Sequence, residues 1–494
     1  MRMKNWLDKR CDLTPNRIAL IGAGEQLTFG ELRLRARQTA GRLAALGAGK
    51  SDRVALLCRN GLHVPELVHA IHYLGAVLVP LNTRLTPREL EYQLQDAACV
   101  CLIYDEAYRA QAEAIQEQLP QLRCVRTDEL QSVGSSGVPL QAEIETEDLH
   151  TIMYTSGTTG NPKGVLLSYD NHWSSAVGSV LNLGFTEHDR WLAAVPLFHI
   201  SGLSILMRSV IYGMTVVIHE RFDPAAANRA IQEQGVTIVS VVSNMLARML
   251  DELNGKRYPD TFRCMLLGGG PAPRPLLEAC RDQGIPVFQT YGMTETSSQI
   301  VTLPPEFSLT KLGSAGKPLF LSELRVMKDG TAAPPYIEGE IEVRGANVTR
   351  GYLNRPDATA KAIRDGWLAT GDIGYVDEEG FLYVLDRRND LIISGGENVY
   401  PAEIEAVLLS HPAVAEAGVI GMEDDTWGQV PVAFITLRGG VVQPKEEEVL
   451  AFCRERLARY KVPSRVYVVE ALPRNASNKL LRRELSKLIP TGEE

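Results

Sequence analysis

The sequence predicts an α/β protein with a large N-terminal domain and a small α+β C-terminal domain. In the first part, short apolar runs alternate with amphipathic segments of helical period, which is typical of βα units and parallel sheets. From about residue 317 to 385, short strands between Gly, Pro and Asp turns indicate an antiparallel, β-barrel-like region. A charged run and a Gly-Gly loop follow. Because 494 residues exceed what one core usually supports, we expect two domains, residues 1–387 and 388–494.

The predicted strands of the first part are short runs rich in Val, Ile and Leu. They are "RVALLC", "VLVPLN", "VCLIYD", "WLAAVPL", "TVVIH", "VTIVSVV", "RCMLLGG" and "PVFQTYG". Just before the first of them, "ELRLRARQTAGRLAAL" places Leu32, Ala36, Ala40 and Leu43 near helical spacing, as expected for a helix that covers a sheet.

Charge and cysteine usage exclude several classes of protein. A net charge of -9 and a pI near 5.6 argue against nucleic-acid and anionic-membrane partners. The eight cysteines are scattered, without a C-x-x-C pair or a Cys/His cluster of metal-ligand spacing. The N-terminal segment has no apolar core of signal-peptide length, and no later apolar run approaches the roughly 18 residues that a membrane span requires. We expect a reduced, cytoplasmic protein without structural zinc or membrane insertion, and self-association into a homo-oligomer is left open.

The loop in "MYTSGTTGNPKGVLLS" has the composition of a phosphate site. It does not fit G-x-x-x-x-G-K-[ST], and the apolar runs on both sides favour a β-hairpin connection over a strand-to-helix loop. Glycine N–H groups and hydroxyls can donate to phosphate oxygens, and a lysine adds a mobile charge. A flexible surface hairpin is the alternative. The candidate residues are Thr155, Ser156, Gly157, Thr158, Thr159, Gly160 and Lys163.

In "YGMTE", a predicted strand ends in Tyr291 and Gly292, and we expect the glycine to allow close approach to a flat ring. Thr294 could bind a phosphate, and Glu295 could hold Mg²⁺, a hard cation that prefers oxygen ligands. The alternative is a strand end with an exposed glutamate.

Two later segments carry further candidates. In "TGD", Asp372 in a Gly-Asp turn could accept both hydroxyls of a ribose, and in "DRR", Arg387 could reach ribose or phosphate. In "LPRNASNKLLRR", Lys479 lies in a loop before an amphipathic end. Singly, each is an ordinary turn former or surface charge.

Taken in this order and spacing, the four segments resemble the adenylate-forming superfamily of acyl- and aryl-CoA synthetases, luciferases and peptide-synthetase adenylation domains. The resemblance covers essentially the full length. It implies the adenylate-forming fold, with two α/β subdomains and a β-barrel-like region in the N-terminal domain. It also implies a small mobile C-terminal domain, with ATP, Mg²⁺ and CoA as ligands.

The resemblance also implies a role for each candidate near the nucleotide. The loop Thr155–Lys163 would embrace the β- and γ-phosphates, Tyr291 would pack on adenine and Thr294 would contact the α-phosphate. Glu295 would bind Mg²⁺. The remaining nucleotide contacts would be Gly269 and Gly270 of "LLGGGPAP" at adenine and Asp372 and Arg387 at the ribose.

In the C-terminal domain, Lys479 matches the lysine that bridges the substrate carboxylate and the α-phosphate, and Asn389 matches the hinge. The family usually has glycine before this lysine, where this chain has Asn478, which tolerates left-handed backbone. Domain rotation would bring Ser394, Gly395 and Gly396 to the CoA thiol.

The segment "PLFHISGLSILMRSVIYGM" bears on the choice of acid. It predicts a helix with a polar stripe of Ser201, Ser204 and Arg208 at i, i+3 and i+7. A snorkelling surface arginine and a satisfied core histidine are the alternatives for Arg208 and His199. The resemblance places His199 as a gate beside the acyl and CoA pockets.

Within the superfamily, several segments are most similar to o-succinylbenzoate–CoA ligases of menaquinone biosynthesis, among them "YGMTETSSQIVTL". That acid carries a second carboxylate, which would suit a cation such as Arg208. The other acyl-site candidates are Ser201, Gly292, Ser298 and Gln299. Another aryl- or fatty-acid–CoA ligase and a non-catalytic nucleotide-binding protein are the alternatives. A peptide-synthetase module is disfavoured because no carrier domain follows before Glu494.

Overall fold

The computed structural model of the chain describes residues 1–155, 161–269, 272, 274–387, 392–399, 401–473, 480 and 482–489. The chain divides into two compact units. The first consists of Met1–Thr83, Leu94–Met153 and Gly164–Leu385, and the second of Arg84–Gln93, Tyr154–Lys163 and Asp386–Glu494. Two short segments of the earlier sequence therefore belong to the second unit, which the sequence did not indicate. The domain boundary at 387/388 stays a prediction.

Helices cover the sheets at regular intervals along the chain. In chain order they are α1 (Trp6–Leu13), α2 (Phe29–Ala45), α3 (His63–Tyr73), α4 (Pro87–Asp96), α5 (Arg109–Gln118), α6 (Thr127–Leu130), α7 (Tyr169–Leu183), α8 (Ile200–Tyr212), α9 (Pro224–Glu233), α10 (Ser243–Leu253), α11 (Arg274–Asp282), α12 (Pro356–Ala362), α13 (Pro401–Leu409) and α14 (Glu446–Arg454). Short 3₁₀ turns lie at Glu106–Tyr108, Thr294–Thr296, Pro305–Phe307, Arg459–Lys461 and Arg482–Leu488.

The strands are mostly short. The first group is β1 (Arg2–Lys4), β2 (Ile18–Gly22), β3 (Glu25–Thr28), β4 (Arg53–Leu57), β5 (Val77–Pro80), β6 (Cys99–Tyr104), β7 (Arg123–Arg126), β8 (Glu143–Glu145), β9 (Leu149–Thr155), β10 (Lys163–Ser168), β11 (Arg190–Ala193), β12 (Thr215–Ile218), β13 (Ile238–Val241) and β14 (Cys264–Leu267). The second is β15 (Val287–Met293), β16 (Ser298–Leu303), β17 (Ser314–Pro318), β18 (Ser322–Lys328), β19 (Thr331–Ala332), β20 (Gly339–Gly345), β21 (Ile363–Arg364), β22 (Trp367–Val376), β23 (Leu382–Arg387), β24 (Ile392–Ser394), β25 (Glu397–Val399), β26 (Val414–Asp424), β27 (Gly428–Leu437) and β28 (Arg465–Val468).

A six-stranded sheet has the order β10-β9-β5-β4-β6-β7. Strands β5, β4, β6 and β7 run parallel, and the central strands β4 and β5 are apolar runs buried on both faces, as the sequence predicts for βα units. The predicted helix after β3 is α2, and it begins with a capping box in which Thr28 and Glu31 bond each other's backbone N–H groups.

A second, larger sheet joins the parallel and antiparallel parts of the first unit. Strands β11 to β15 pair in parallel, and from β15 onward the pairing becomes antiparallel through β16, β17 and β23 to β22, β20 and β18. The predicted antiparallel region thus continues this sheet by hydrogen bonds. A buried core packs between the sheets and helices, with Trp191, Leu206 and Ile238 among its members.

The second unit contains a sheet of order β25-β24-β27-β26, with β28 added parallel to β27. Its core includes Val399, Ile404, Val419 and Ile435, which come from strands and from α13. This matches the α+β pattern predicted for the C-terminal part. In the described part of the chain, no helix has both the length and the apolar character that crossing a membrane requires.

Candidate functional site

The "YGMTE" segment begins inside β15 and ends in a 3₁₀ turn. β15 extends one residue past the predicted strand end, to Met293, and pairs with β16 across a bulge at Gly292. A Cβ on Gly292 would lie 1.9 Å from the carbonyl oxygen of Ser298. The glycine therefore permits close contact with its own hairpin partner, in addition to any contact with a ligand.

Tyr291 and Asp372 are joined by a buried hydrogen bond. The Tyr291 hydroxyl donates to Asp372 Oδ2 at 2.6 Å, and both residues are buried. The expectation that Asp372 lies in a Gly-Asp turn is wrong, because it lies within the long strand β22. Gly371 carries the local irregularity at a φ of 77°, and Thr370 Oγ1 accepts a bond from the Asp372 N–H. The carboxylate is therefore held in place by its neighbours.

Glu295 is anchored through both its side chain and its backbone. Its Oε1 accepts from the Tyr352 hydroxyl at 3.1 Å, and its carbonyl oxygen accepts from the Thr349 N–H at 2.7 Å. The backbone around Tyr352 is in turn bonded to β10, since Leu353 N–H donates to the Gly164 carbonyl at 2.8 Å. The strand that leaves the glycine-rich loop is thus linked to the candidate metal ligand. Thr294 lies half-buried in the same turn.

The glycine-rich loop is described at its two ends. Thr155 is the last residue of β9 and Lys163 the first of β10, and both are half-buried. Strands β9 and β10 are hydrogen-bonded neighbours in the six-stranded sheet, in agreement with the predicted hairpin. Gly269, which follows β14, has a φ of 86°, and a Cβ there would lie 3.1 Å from Val242 Cγ1. Glycine suits this position because φ is positive.

His199 is the N-cap residue of α8 and is half-buried, so it is not a core histidine. The loop before it is held by Asn60, whose Nδ2 donates to the Val195 carbonyl and whose Oδ1 accepts from the Leu197 N–H, each at 2.9 Å. Gly202, in the first turn of α8, lets the preceding loop pack closely against the helix, because a Cβ there would lie 2.2 Å from the Pro196 carbonyl oxygen.

Arg208 is buried among neutral groups. Its side chain on α8 is 1% exposed, which rules out the surface-arginine alternative. Its NH2 donates to Gln299 Oε1 at 3.2 Å and to Ser298 Oγ at 3.4 Å, and its guanidinium lies over the Trp191 ring at 5.1 Å. The structure thus brings together three predicted acyl-site residues.

The charge of Arg208 has no carboxylate partner among the residues that the structure describes. Its buried Nε atom also has no hydrogen-bond partner there. Burial lowers the pKa of the guanidinium below its ordinary value, although arginine keeps its proton in proteins. Burial, and then the charge of Arg208, lower the pKa of His172 to about 3, so that this neighbour is neutral as well.

The backbone beside Arg208 is strained. Ser297 and Ser298 have φ values of 54° and 106°, unusual for residues other than glycine. Ser175 Oγ donates to the Ser297 carbonyl and Thr296 Oγ1 to that of Ser298, at 2.6 and 2.7 Å. Strained backbone that is held in place by several hydrogen bonds is common at ligand sites. The predicted Ser201 is exposed, and it is Ser204 that reaches Ser298 Oγ, at 3.5 Å.

The predicted CoA loop is a two-residue hairpin between β24 and β25. Gly395 and Gly396 both have positive φ, 57° and 83°, which is the backbone of a type I′ turn. The exposed Trp427 lies against this turn: a Cβ on Gly395 would lie 2.7 Å from its ring, and the Gly395 N–H donates to its carbonyl at 2.8 Å. Ser394 is buried at the end of β24.

Several predicted residues lie outside the described residues. They are Ser156, Gly157, Thr158, Thr159, Gly160, Gly270, Asn389 and Lys479, and for Arg387 only the backbone, at the end of β23, is described. Their roles stay predictions.

Sequence reasoning also missed residues that shape the site. Trp191, Tyr352 and Trp427 contact predicted residues from distant parts of the chain, and nothing in their local sequence indicated it. Asn60 could have been found, because it is a polar residue just after the predicted strand "RVALLC". The carboxyl ends of parallel strands are where α/β proteins bind ligands.

Comparisons with known proteins cover the whole chain. Residues 7–353 match the AMP-binding enzyme family, and residues 403–479 match the AMP-binding enzyme C-terminal domain. A 2-succinylbenzoate–CoA ligase of Geobacillus kaustophilus is 59% identical over 492 residues, covering 100% of this chain and 99% of the relative. Another, of Bacillus cereus, is 54% identical over 487 residues, covering 99% and 98%.

Solved structures agree with these matches. A double mutant of o-succinylbenzoate CoA synthetase from Bacillus subtilis, bound with its product analogue OSB-NCoA, has a TM-score of 0.94 at 52% identity and covers 99% of both chains. The enzyme from Bacillus subtilis in complex with ATP and magnesium ion has a TM-score of 0.77 at 52% identity, covering 98% of this chain and 100% of that one. The α/β fold predicted from the sequence is confirmed, and the chain belongs to the AMP-binding enzyme family.

Proposed function

We propose that the chain is an AMP-forming acid–thiol ligase that joins 2-succinylbenzoate to CoA, a step in menaquinone biosynthesis. In the first half-reaction, a carboxylate oxygen of the acid attacks the α-phosphorus of ATP and pyrophosphate leaves. In the second, the CoA sulfur attacks the acyl carbonyl carbon and AMP leaves. Relatives that are more than half identical over the whole chain carry the name of this activity.

The observation that carries the choice of acid is the buried charge of Arg208, which has no carboxylate partner in the described part of the chain. Burying an ion without a counter-ion is unfavourable by several kcal/mol, so such a group favours an anionic ligand. The second carboxylate of 2-succinylbenzoate is such an anion and could accept two parallel N–H bonds from the guanidinium. Gln299 and Ser298 already fix the orientation of that guanidinium from one side. A monoacid would leave the charge without a partner.

The nucleotide roles rest on the anchored side chains. Tyr291 would pack on adenine while its hydroxyl orients Asp372 toward the ribose, and Thr294 would contact the α-phosphate. Glu295 fits Mg²⁺, because it offers carboxylate oxygens in an orientation set by Tyr352. When bound, the ion neutralises charge on the phosphate oxygens. The further contacts we propose for ATP are Thr155, Ser156, Gly157, Thr158, Thr159, Gly160, Lys163, Gly269, Gly270 and Arg387.

The two half-reactions would use different residues of the C-terminal part. Lys479 would hold its ammonium between the attacking carboxylate and the α-phosphate, because both reactants are anions. Rotation at Asn389 would then exchange this lysine for the loop of Ser394, Gly395 and Gly396. His199, at the N-cap of α8, would gate the passage between the acyl and CoA pockets.

We place the enzyme in the cytoplasm. The eight cysteines are all free, and most are buried. Free cysteines in this number fit a reducing compartment, where disulfides are rare.

The test is a panel of acids assayed for acid-dependent AMP release with CoA. It contains 2-succinylbenzoate, a matched analogue lacking the second carboxylate, a hydroxycinnamic acid and a fatty acid. We expect the diacid to have the highest kcat/KM. A preference for a monoacid would point to another aryl- or fatty-acid–CoA ligase. If no acid of the panel causes AMP release, the protein binds nucleotides without catalysis.

A further inference from the structure

A cysteine, a histidine and an aspartate meet at one edge of the six-stranded sheet. Cys58 directly follows β4 and Asp105 directly follows β6, and these strands are parallel neighbours. His63 is the first residue of α3, which follows β4. Because parallel strands end at the same edge, the sheet itself brings the cysteine and the aspartate together across 47 positions of the sequence.

The position in the sheet is one at which α/β proteins bind ligands. In the order β5-β4-β6-β7, the chain leaves β4 toward β5 on one side and leaves β6 toward β7 on the other side. Helix α3 lies in the first of these connections and α5 in the second. The carboxyl ends of β4 and β6 therefore flank a topological switch point, where the connecting loops separate and leave a crevice.

The side-chain atoms of the three residues converge. Cys58 Sγ, a ring nitrogen of His63 and a carboxylate oxygen of Asp105 all lie within 4.8 Å of one another. His63 Nε2 is 3.0 Å from Asp105 Oδ1. The ring N–H direction nevertheless does not suit a hydrogen bond, and this buried nitrogen has no hydrogen-bond partner in the described part of the chain.

This spacing resembles that of atoms sharing one cation. Zinc bonds of about 2.0–2.3 Å in a tetrahedron place neighbouring ligand atoms roughly 3.3–3.6 Å apart. The nitrogen and the oxygen are already at about that separation, and a movement of the sulfur by about 1 Å would complete the set.

Surrounding groups hold the carboxylate and the ring. The Arg59 N–H donates to Asp105 Oδ2 at 2.7 Å, and Thr127 Oγ1 donates to Oδ1 at 3.2 Å. Gly61 leaves room for the imidazole, because a Cβ there would lie 2.7 Å from His63 Nδ1. Hydrogen bonds to ligating carboxylates are the usual support of metal sites.

We propose that Cys58, His63 and Asp105 bind a divalent cation of the zinc class, with a fourth position open to solvent. Sulfur, imidazole and carboxylate ligands together are typical of zinc, and Mg²⁺ avoids sulfur and nitrogen. The site is therefore distinct from the Mg²⁺ position proposed at Glu295. The cluster lies close to the surface, because the side chains of His63 and Asp105 are 37% and 16% exposed, although the His63 nitrogen that faces Asp105 is itself buried. On binding, the Cys58 thiol loses its proton to the solvent and a sulfur–metal bond forms.

The experiment is a Co²⁺ titration of the full-length protein without ATP or Mg²⁺, followed by competition with Zn²⁺. We expect one equivalent of Co²⁺ to produce a thiolate-to-metal charge-transfer band that Zn²⁺ removes. The band should be lost in Cys58→Ser and persist in Cys124→Ser, a matched control because Cys124 lies in β7 of the same sheet. In Thr127→Val, the affinity should fall by about 10- to 100-fold, as for other groups that support a ligand.

Two results would overturn the proposal: absence of the band in the unmodified protein, or its survival in Cys58→Ser. If Cys58→Ser does not fold, as judged by circular dichroism, His63→Gln decides, because this side chain is partly exposed and its loss should leave the fold intact. Unchanged Co²⁺ affinity in folded His63→Gln then refutes the site, and a loss of affinity supports it.

Discussion

Replacing Arg208 by methionine should lower kcat/KM for the diacid and leave the free energy of unfolding unchanged or raised. In the protein, the Arg208 side chain is 1% exposed, and the partners of its guanidinium among the described residues are neutral, chiefly Gln299 and the Trp191 ring. The charge is therefore unfavourable to the folded protein until an anion arrives. Methionine has a similar length and is compatible with the aromatic neighbour.

The magnitudes follow from these contacts. Exchanging a buried ion for a hydrophobic residue of similar volume is neutral or stabilises by about 1–4 kcal/mol, and loss of the contact with Trp191 offsets about 1 kcal/mol of this. We expect the free energy of unfolding to be unchanged or raised by about 1–2 kcal/mol. Loss of one partner of a buried charge pair weakens binding by about 2–5 kcal/mol, or roughly 30-fold to several thousand-fold in kcat/KM for the diacid.

The assay measures KM for the diacid, a monoacid analogue and ATP, together with urea unfolding. The matched control is Arg263→Met, because Arg263 is paired with Asp189 at 2.6 Å and the side chain of Asp189 is 1% exposed. That variant leaves a buried carboxylate unpaired and should lose about 3 kcal/mol of stability while the KM for the diacid is unchanged. The reasoning is refuted if Arg208→Met destabilises the protein as the control does, or if its KM for the diacid equals that of the unmodified enzyme.

Three further predictions concern the two half-reactions and the pH dependence of stability. Lys479→Ala should abolish adenylation but still convert supplied acyl-adenylate to thioester; equal loss in both assays contradicts the proposed roles. Gly395→Ala should slow thioester formation at least tenfold by strain against Trp427, whereas Gly440→Ala, at an open positive-φ turn, should not. Burial lowers the pKa of His69 to about 4, so the unfolded chain binds the proton first as pH falls. His69 alone should account for up to about 1.4 kcal/mol per pH unit of the fall in the free energy of unfolding between about pH 6.5 and 4, and His69→Leu should show a slope shallower by that amount in urea titrations.

The strands of the first unit could be predicted because their signal is local. A run such as "RVALLC" is apolar and β-branched, and a parallel strand covered on both faces needs little else. The same locality explains the error at Asp372. A glycine before an aspartate predicts a turn, but the positive φ of Gly371 is accommodated inside β22, which pairs with β20 around an irregularity. Glycine in a strand and glycine in a turn have the same sequence signature.

The neighbours of the site residues could not be predicted, because they depend on sheet order. The position of Arg208 on α8 was readable, but its burial depends on Gln299, 91 positions later in β16. The bond from Tyr352 to Glu295 spans 57 positions. The convergence of Cys58 with Asp105 likewise needs β4 and β6 to be adjacent, and the spacing of the cysteines gave no indication of it.

The bond between Tyr291 and Asp372 has a consequence for nucleotide selection. Under the proposed roles, one of these side chains contacts the base and the other the sugar, and each fixes the other before ATP arrives. Recognition of adenine and of ribose is then a single cooperative unit. The effects of Tyr291→Phe and Asp372→Asn on nucleotide selection should therefore be strongly non-additive. The double variant should select ATP little worse than either single variant, with an interaction energy of about 1–3 kcal/mol in a double-mutant cycle.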